Sequence, residues 1–190
     1  MVDIFVESSP AISSVLVPVP TIITTLSKEG VPNTSTLSYM TAIHWKPPSI
    51  LMSIDSKHKT ARNLYETSKF TVNVLKHSDL GKEIAYGVGS ISGNKTKKFN
   101  DLVFLEETAI EHNEFKWPPI INGAILALHG IIVKESTYFG QILFIGEIKA
   151  AKMIKDLQKL ASKDKTELRR VFEEIALTTS DVYSYLADNF

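Results

Sequence analysis

The 190-residue chain contains no cysteine, which excludes disulfides, thiolate metal sites and cysteine nucleophiles. It also lacks net charge, since 21 lysines and arginines balance 21 aspartates and glutamates. A general nucleic-acid binder carries a basic excess, so that class is set aside; a local anion site remains compatible with neutrality. Zero net charge also gives little electrostatic resistance to self-association. No apolar run approaches the roughly 18 residues that a membrane-spanning helix needs. Asp3 and Glu7 stand where a secretion signal would be basic, so the expected location is the cytoplasm, with neither nucleic acid nor membrane as partner. Familiar catalytic signatures are missing as well: there is no GxGxxG, P-loop, HExxH or GxSxG. The histidines at 44, 58, 77, 112 and 129 are scattered, without the i, i+4 spacing of a helical metal site. No metal ligand and no catalytic side chain is therefore assigned.

What is present is mostly strand. The β-branched run Thr21–Leu26 precedes a turn over Ser27–Gly30, and a second strand is expected from about Thr34 to Ile43. Pro47 and Pro48 interrupt the ladder, because proline has no backbone donor. Ser49–Ile54 reads as a third strand, Thr60–Thr67 as a short helix, and Phe70–Leu75 as an alternating strand. A second short helix is expected over Ser78–Tyr86 with Ser78 as its cap. Residues 87–101 read as a Gly-rich loop and Leu105–His112 as a strand. Gly123–Lys134 and Gln141–Ala151 read as a long hairpin. From Lys152 charges become dense, and Ile154, Leu157, Leu160 and Ala161 recur at helical spacing, with a further helix from about Thr166 to Ala176. The expected organisation is one β-barrel domain over residues 1–151 and a helical extension over 152–190. A parallel sheet would need a long crossover helix after nearly every strand, so a small closed or partly open barrel is the better reading.

Two segments carry polar chemistry. Asn33–Pro48 gathers hydroxyl-bearing and small residues around Tyr39 and Met40 and ends in Pro-Pro. Asp55–Arg62 places Ser56, Lys57, Lys59, Thr60 and Arg62 between a buried strand and a helix N-terminus. A helix start offers unpaired N–H groups and partial positive charge, so the second segment can cradle a phosphate. Taken alone, the first is equally an ordinary strand with a stiffened turn, and the second a solvated basic turn.

The pieces occur in a defined order: T-T-x-x-x-x-G-x-P-N from Thr24, T-x-S-x-x-T-x-I-x-x-x-P-P from Thr36, a buried strand, S-x-H-K-T from Ser56, then F-T-V-N-V-L from Phe70. Lys98-Phe99 and Phe144-Ile145-Gly146-Glu147-Ile148 follow. This ordered set, over roughly residues 15 to 150, resembles the flavin reductase-like family of FMN-binding split barrels, flavoredoxins among them. The resemblance implies a mainly β fold, an FMN-binding split β-barrel of the Greek-key type, with short connecting helices and a helical C-terminal extension.

It also implies a site. Thr36, Ser38, Tyr39, Met40, Thr41 and Ala42 map to the segment that wraps the flavin. Asp55, Ser56, Lys57, Lys59 and Thr60 map to the loop that holds the ribityl phosphate, with Asp55 suited to a ribityl hydroxyl or a cap. Asn94 and Lys95, beside Gly93, map to a loop closing over the cofactor. The implied cofactor is FMN, with FAD as the alternative. Electrons would pass from NAD(P)H or a redox protein to flavin, ferric iron or a protein acceptor. A homodimer is implied, and Trp45 or Trp117 could reach across it, although core packing is the plainer role for a tryptophan beside prolines. One departure stands out: Gln141 occupies the place where dedicated NAD(P)H-using members often carry a histidine, which puts direct nicotinamide use in doubt. The rival readings are a non-catalytic flavin-binding or sensor barrel and, more distantly, a nucleic-acid-binding barrel.

Overall fold

The computed structural model describes residues 20–102, 107–108, 111–112, 115–157 and 165–176. Its centre is a seven-stranded antiparallel sheet in the order β2-β1-β5-β10-β11-β4-β3. The strands are β1 (Thr21–Leu26), β2 (Pro32–Leu37), β3 (Met40–Trp45), β4 (Pro48–Asp55), β5 (Lys69–Leu75), β10 (Ala124–Tyr138) and β11 (Gln141–Met153). Three helices interrupt them: α1 (Lys59–Thr67), α2 (Asp79–Ser90) and the short α3 (Lys98–Asp101).

The sheet curls because its residues converge on one interior. Ile23 of β1, Leu37 of β2, Met52 of β4, Phe70 of β5 and Phe144 of β11 bury in a single cluster, closed by Ala61 and Leu64 of α1. The Phe70 ring leaves no room beside Gly146, where an added Cβ would lie 2.5 Å from it. β1 is buried on both faces. Ile23 points inward, while Ile22 packs outward against Ile84, Ala85 and Val88 of α2. Period-2 alternation thus serves two cores at once.

The second strand does not run unbroken to Ile43. It ends at Leu37, and a new strand starts at Met40 on the opposite edge of the sheet. The turn is tight: Met40 N donates to Ser38 O at 3.2 Å, and Ser53 N donates to Tyr39 O at 3.0 Å. Ser38 and Tyr39 therefore join the two edges of the open barrel. The proline pair interrupts less than its chemistry suggests, because only Lys46 and Pro47 form the turn and Pro48 opens β4. The Lys46–Pro47 peptide is cis.

The supposed loop 87–101 is shorter than its glycines suggest. α2 continues through Gly87 and Gly89 to Ser90, and α3 begins at Lys98. Gly89 is there for close approach: an added Cβ would lie 3.1 Å from Thr36 Oγ1. Ser78 does cap α2, its Oγ accepting from Gly81 N at 3.1 Å. Of Leu105–His112, two short pieces are described: β6 (Glu107–Thr108), paired with β9 (Ile120–Ile121), and β7 (Glu111–His112), paired with β8 (Phe115–Lys116). The remainder of that expected strand lies outside the described residues.

β11 extends through Lys152 to Met153, two residues past the expected boundary. α4 (Lys165–Ile175) brings Leu168, Val171 and Phe172 against Val74, Ile125, Leu157 and Ala176. Of the expected helical extension, residues 158–164 and 177–190, Leu160 and Ala161 among them, lie outside the described residues. No described helix is long and apolar enough to cross a membrane.

On the outer face, Trp117 is buried and stacks on His129 with ring centroids 5.3 Å apart. His129 Nδ1 lies 2.8 Å from Thr71 Oγ1, which donates to Pro118 O. Thr24 Oγ1 donates to Pro119 O at 2.6 Å. The two prolines thus hand their carbonyls to threonines of the sheet. Trp45 is the contrary case, 92% exposed at the end of β3.

Candidate functional site: a cleft with a cationic end

A cleft runs along the seam between the barrel edges and α1. One end, of about 300 Å³, is walled by Ile23, Leu37 and Ile54 and edged by Ser38, Tyr39, Ser53, Asp55 and Gln141. The other, of about 210 Å³, includes Asn33, Lys59, Ser90, Ser92, Asn94 and Lys98. Ser35, Thr36 and His58 line both, so the two ends adjoin.

The second end is built for an anion. Among the described residues no carboxylate lines it. α1 starts there with no side chain capping its N-terminus and no acidic residue in its first turn, so its amides and dipole are left for a ligand. Lys98 is the decisive group. It is 2% exposed, and its Nζ donates to Thr34 O at 2.8 Å and Val88 O at 2.6 Å. Burial, and secondarily the charge of Lys59, push its pKa down from the ordinary lysine range to about 8. An ammonium has three donors, and two are spent on these carbonyls. A buried cation facing a second cation is costly without an anion.

The first end is different. It offers apolar walls and a polar rim, which suits a flat ring with hydrogen-bonding edges. Ser53 Oγ donates to Gln141 Oε1 at 3.4 Å. Thr60 Oγ1 is engaged by Asn33 Nδ2 at 3.2 Å and lies 2.8 Å from Ser35 Oγ. Thr36 Oγ1 donates to Ala85 O at 2.6 Å, tying β2 to α2. Asp55 Oδ1 accepts from Lys57 N at 2.8 Å and so caps the turn before the helix.

Of the residues expected from sequence, Thr36, Ser38, Tyr39, Asp55, Lys59, Thr60 and Asn94 line the cleft. Met40 packs against the core instead, and Thr41 and Ala42 are exposed on β3 and line neither end of the cleft. Ser56, Lys57 and Lys95 are solvent-exposed and do not line the cleft. Expectation passed over Asn33, Ser35, Ser53, His58 and Lys98 as site residues. Lys98 had a signal, the Lys-Phe pair, and His58 stood inside S-x-H-K-T. The chemistry of the donor set fits a phosphate-bearing planar ligand: cations and helix amides at one end, apolar walls with a polar rim at the other.

Fold and cleft together define the class, a split β-barrel with a lysine-lined seam. The chain belongs to the flavin reductase-like family, whose "Flavin reductase like domain" matches residues 16–167. No curated protein matches it in sequence. Solved structures share the fold. An FMN-binding protein from Thermus thermophilus, with bound 1-cyclohex-2-enone, is 20% identical over 83% of each chain, with a TM-score of 0.68. Flavoredoxin of Desulfovibrio vulgaris (Miyazaki F) is 22% identical over 80% of this chain and 79% of its own, with a TM-score of 0.67. An NADH:FAD oxidoreductase of Streptomyces globisporus C-1027 is 18% identical over 80% of this chain and 89% of its own, with a TM-score of 0.63.

Proposed function

We propose that the chain is a homodimeric FMN-binding oxidoreductase. In this reading it takes electrons from NAD(P)H or a redox protein and delivers them to flavin, ferric iron or a protein acceptor. The observation that carries the reading is the buried Lys98 ammonium beside Lys59 at the uncapped start of α1. When bound, the flavin supplies the electron chemistry. The residues' part is binding and orientation. Lys59, Lys98 and the α1 amides hold the phosphate. Ser38, Ser53 and Gln141 would offer hydrogen-bonding groups to the ring, and Ile23, Leu37 and Ile54 would shield it from water. No proton relay is required of these side chains. A second copy would cover β3, where Ile43 and Trp45 are exposed, and the exposed Tyr39 just before it.

The test is the visible absorption spectrum of the purified protein, followed by release and identification of the chromophore. Stoichiometric FMN is the expected result. A colourless protein that binds neither added FMN nor FAD overturns the reading. Binding of FMN without turnover of any donor would make it a flavin-holding barrel rather than an enzyme. Sedimentation at the mass of two chains is expected for the assembly.

A further inference from the structure

Beyond Lys59 lies a second cavity. Lys59 lines the anion end of the cleft on one side. On the other it lines a cavity of about 350 Å³ with Glu29, Arg62, Glu66 and Lys97. A bridge of side chains joins the two linings. Arg62 Nη2 donates to Asn94 Oδ1 at 2.8 Å, and Asn94 Nδ2 donates to Lys57 O at 3.1 Å. Arg62 belongs to the further cavity and Asn94 to the cleft. The bridge therefore stands between the linings of the cleft and the further cavity.

Asn94 is held in place. Gly93 presses on β2 so closely that an added Cβ would lie 2.0 Å from Asn33 Oδ1. Ser92 O accepts from both Lys95 N and Thr96 N. The residue type also matters. A carboxamide both donates and accepts, so one side chain satisfies a guanidinium and a carbonyl; aspartate could accept but not donate, and would set a second negative charge against a phosphate.

Resting on the flavin reading above, we propose that the Arg62–Asn94–Lys57 bridge is a specificity-determining partition that selects flavin mononucleotide over flavin dinucleotide. A monophosphate ends at the bridge and is satisfied by Lys59 and Lys98. A diphosphate must continue past it, so two hydrogen bonds break before the adenylyl half enters the further cavity. Two exposed hydrogen bonds of ordinary strength make this a preference on the order of tenfold. Because a cavity already lies behind the partition, removing the bridge opens room rather than a clash.

The experiment titrates full-length apoprotein with FMN and with FAD by fluorescence quenching, for the wild type, Asn94→Ala and Arg62→Ala. Both replaced side chains are exposed, and either variant opens the bridge should the other fail to fold. The wild type is expected to bind FMN about tenfold more tightly than FAD, and each variant is expected to bring that ratio toward one by improving FAD. A wild type that binds both equally overturns the proposal. So does an equal loss of both affinities in the variants, which would mean that the bridge only holds the loop. Binding of neither flavin by the wild type overturns the flavin reading itself, and the partition with it.

Discussion

The two ends of the cleft are made differently. The anion end depends on burial: Lys98 is enclosed, bonded to main-chain carbonyls from β2 and α2, and backed by a loop with no space at Gly93. The apolar-walled end is more open: Tyr39 is about half exposed, and the Ser53–Gln141 bond at 3.4 Å is long. A preorganised, desolvated charge contributes affinity, because its cost is met during folding. A looser polar rim leaves access for a second reactant. On the flavin reading proposed above, the cationic end would supply affinity and the polar rim would give access to a second reactant.

Lys98→Met should break the comparison most strongly. It removes a charge-assisted contact from a desolvated site, so FMN binding should weaken by about 2–3 kcal/mol, at the upper end for hydrogen bonds to charged groups. Isothermal titration would show it, and an unchanged affinity would remove Lys98 from the site. The same lysine imposes a pH dependence. Its pKa is pushed down to about 8 in the folded chain, from the ordinary 10.5. Between those values the unfolded chain binds more protons, so the apoprotein should gain stability as pH rises through that window. Below about 8 both states are charged and the burial cost is fully present. An anion favours the charged form, so FMN affinity should fall with rising pH, by about tenfold per unit at most above pH 8. In Lys98→Met that slope should flatten.

A smaller effect is expected from Gly93→Ala. The new methyl meets Asn33 Oδ1, so the loop or the Asn33–Thr60 bond must shift, at about 1–2 kcal/mol of stability by analogy with overpacking. A drop in Tm with weakened FMN binding is the expected result, and a wild-type Tm would show that the loop yields freely. Smallest should be Gln141→Ala. Flavin affinity should change by less than about threefold, the loss of one weak hydrogen bond, while the rate with the electron donor changes more. A large affinity loss there would erase the contrast between the ends.

Much of this molecule is legible in local pattern. The strand Thr21–Leu26, the helix after Lys59 and the hairpin of β10 and β11 follow from alternation, β-branching and turn residues. The capping of α2 by Ser78 is equally local. Errors arose where distant packing overrode local chemistry. Gly87 and Gly89 read as loop punctuation but sit inside α2, where a Cβ at position 89 would press on Thr36 of β2 at 3.1 Å. The hydroxyl-rich run from Thr34 looked like one strand but splits at Ser38–Tyr39 to serve both edges of the barrel.

The positions of most strands along the chain, the basic turn at a helix start and the family motifs are thus properties of the sequence, because each depends on residues near one another along the chain. Which lysine becomes the buried cation is not. Lys98 is one lysine among several, and it is singled out because Thr34 O, 64 positions away, and Val88 O meet its ammonium in the closed barrel. The joining of Asn94 to Arg62 and the placing of Gln141 at the cleft rim are decided the same way. Desolvation of a charge and the width of a cleft depend on every surface that closes around them, and only the tertiary structure brings those surfaces together.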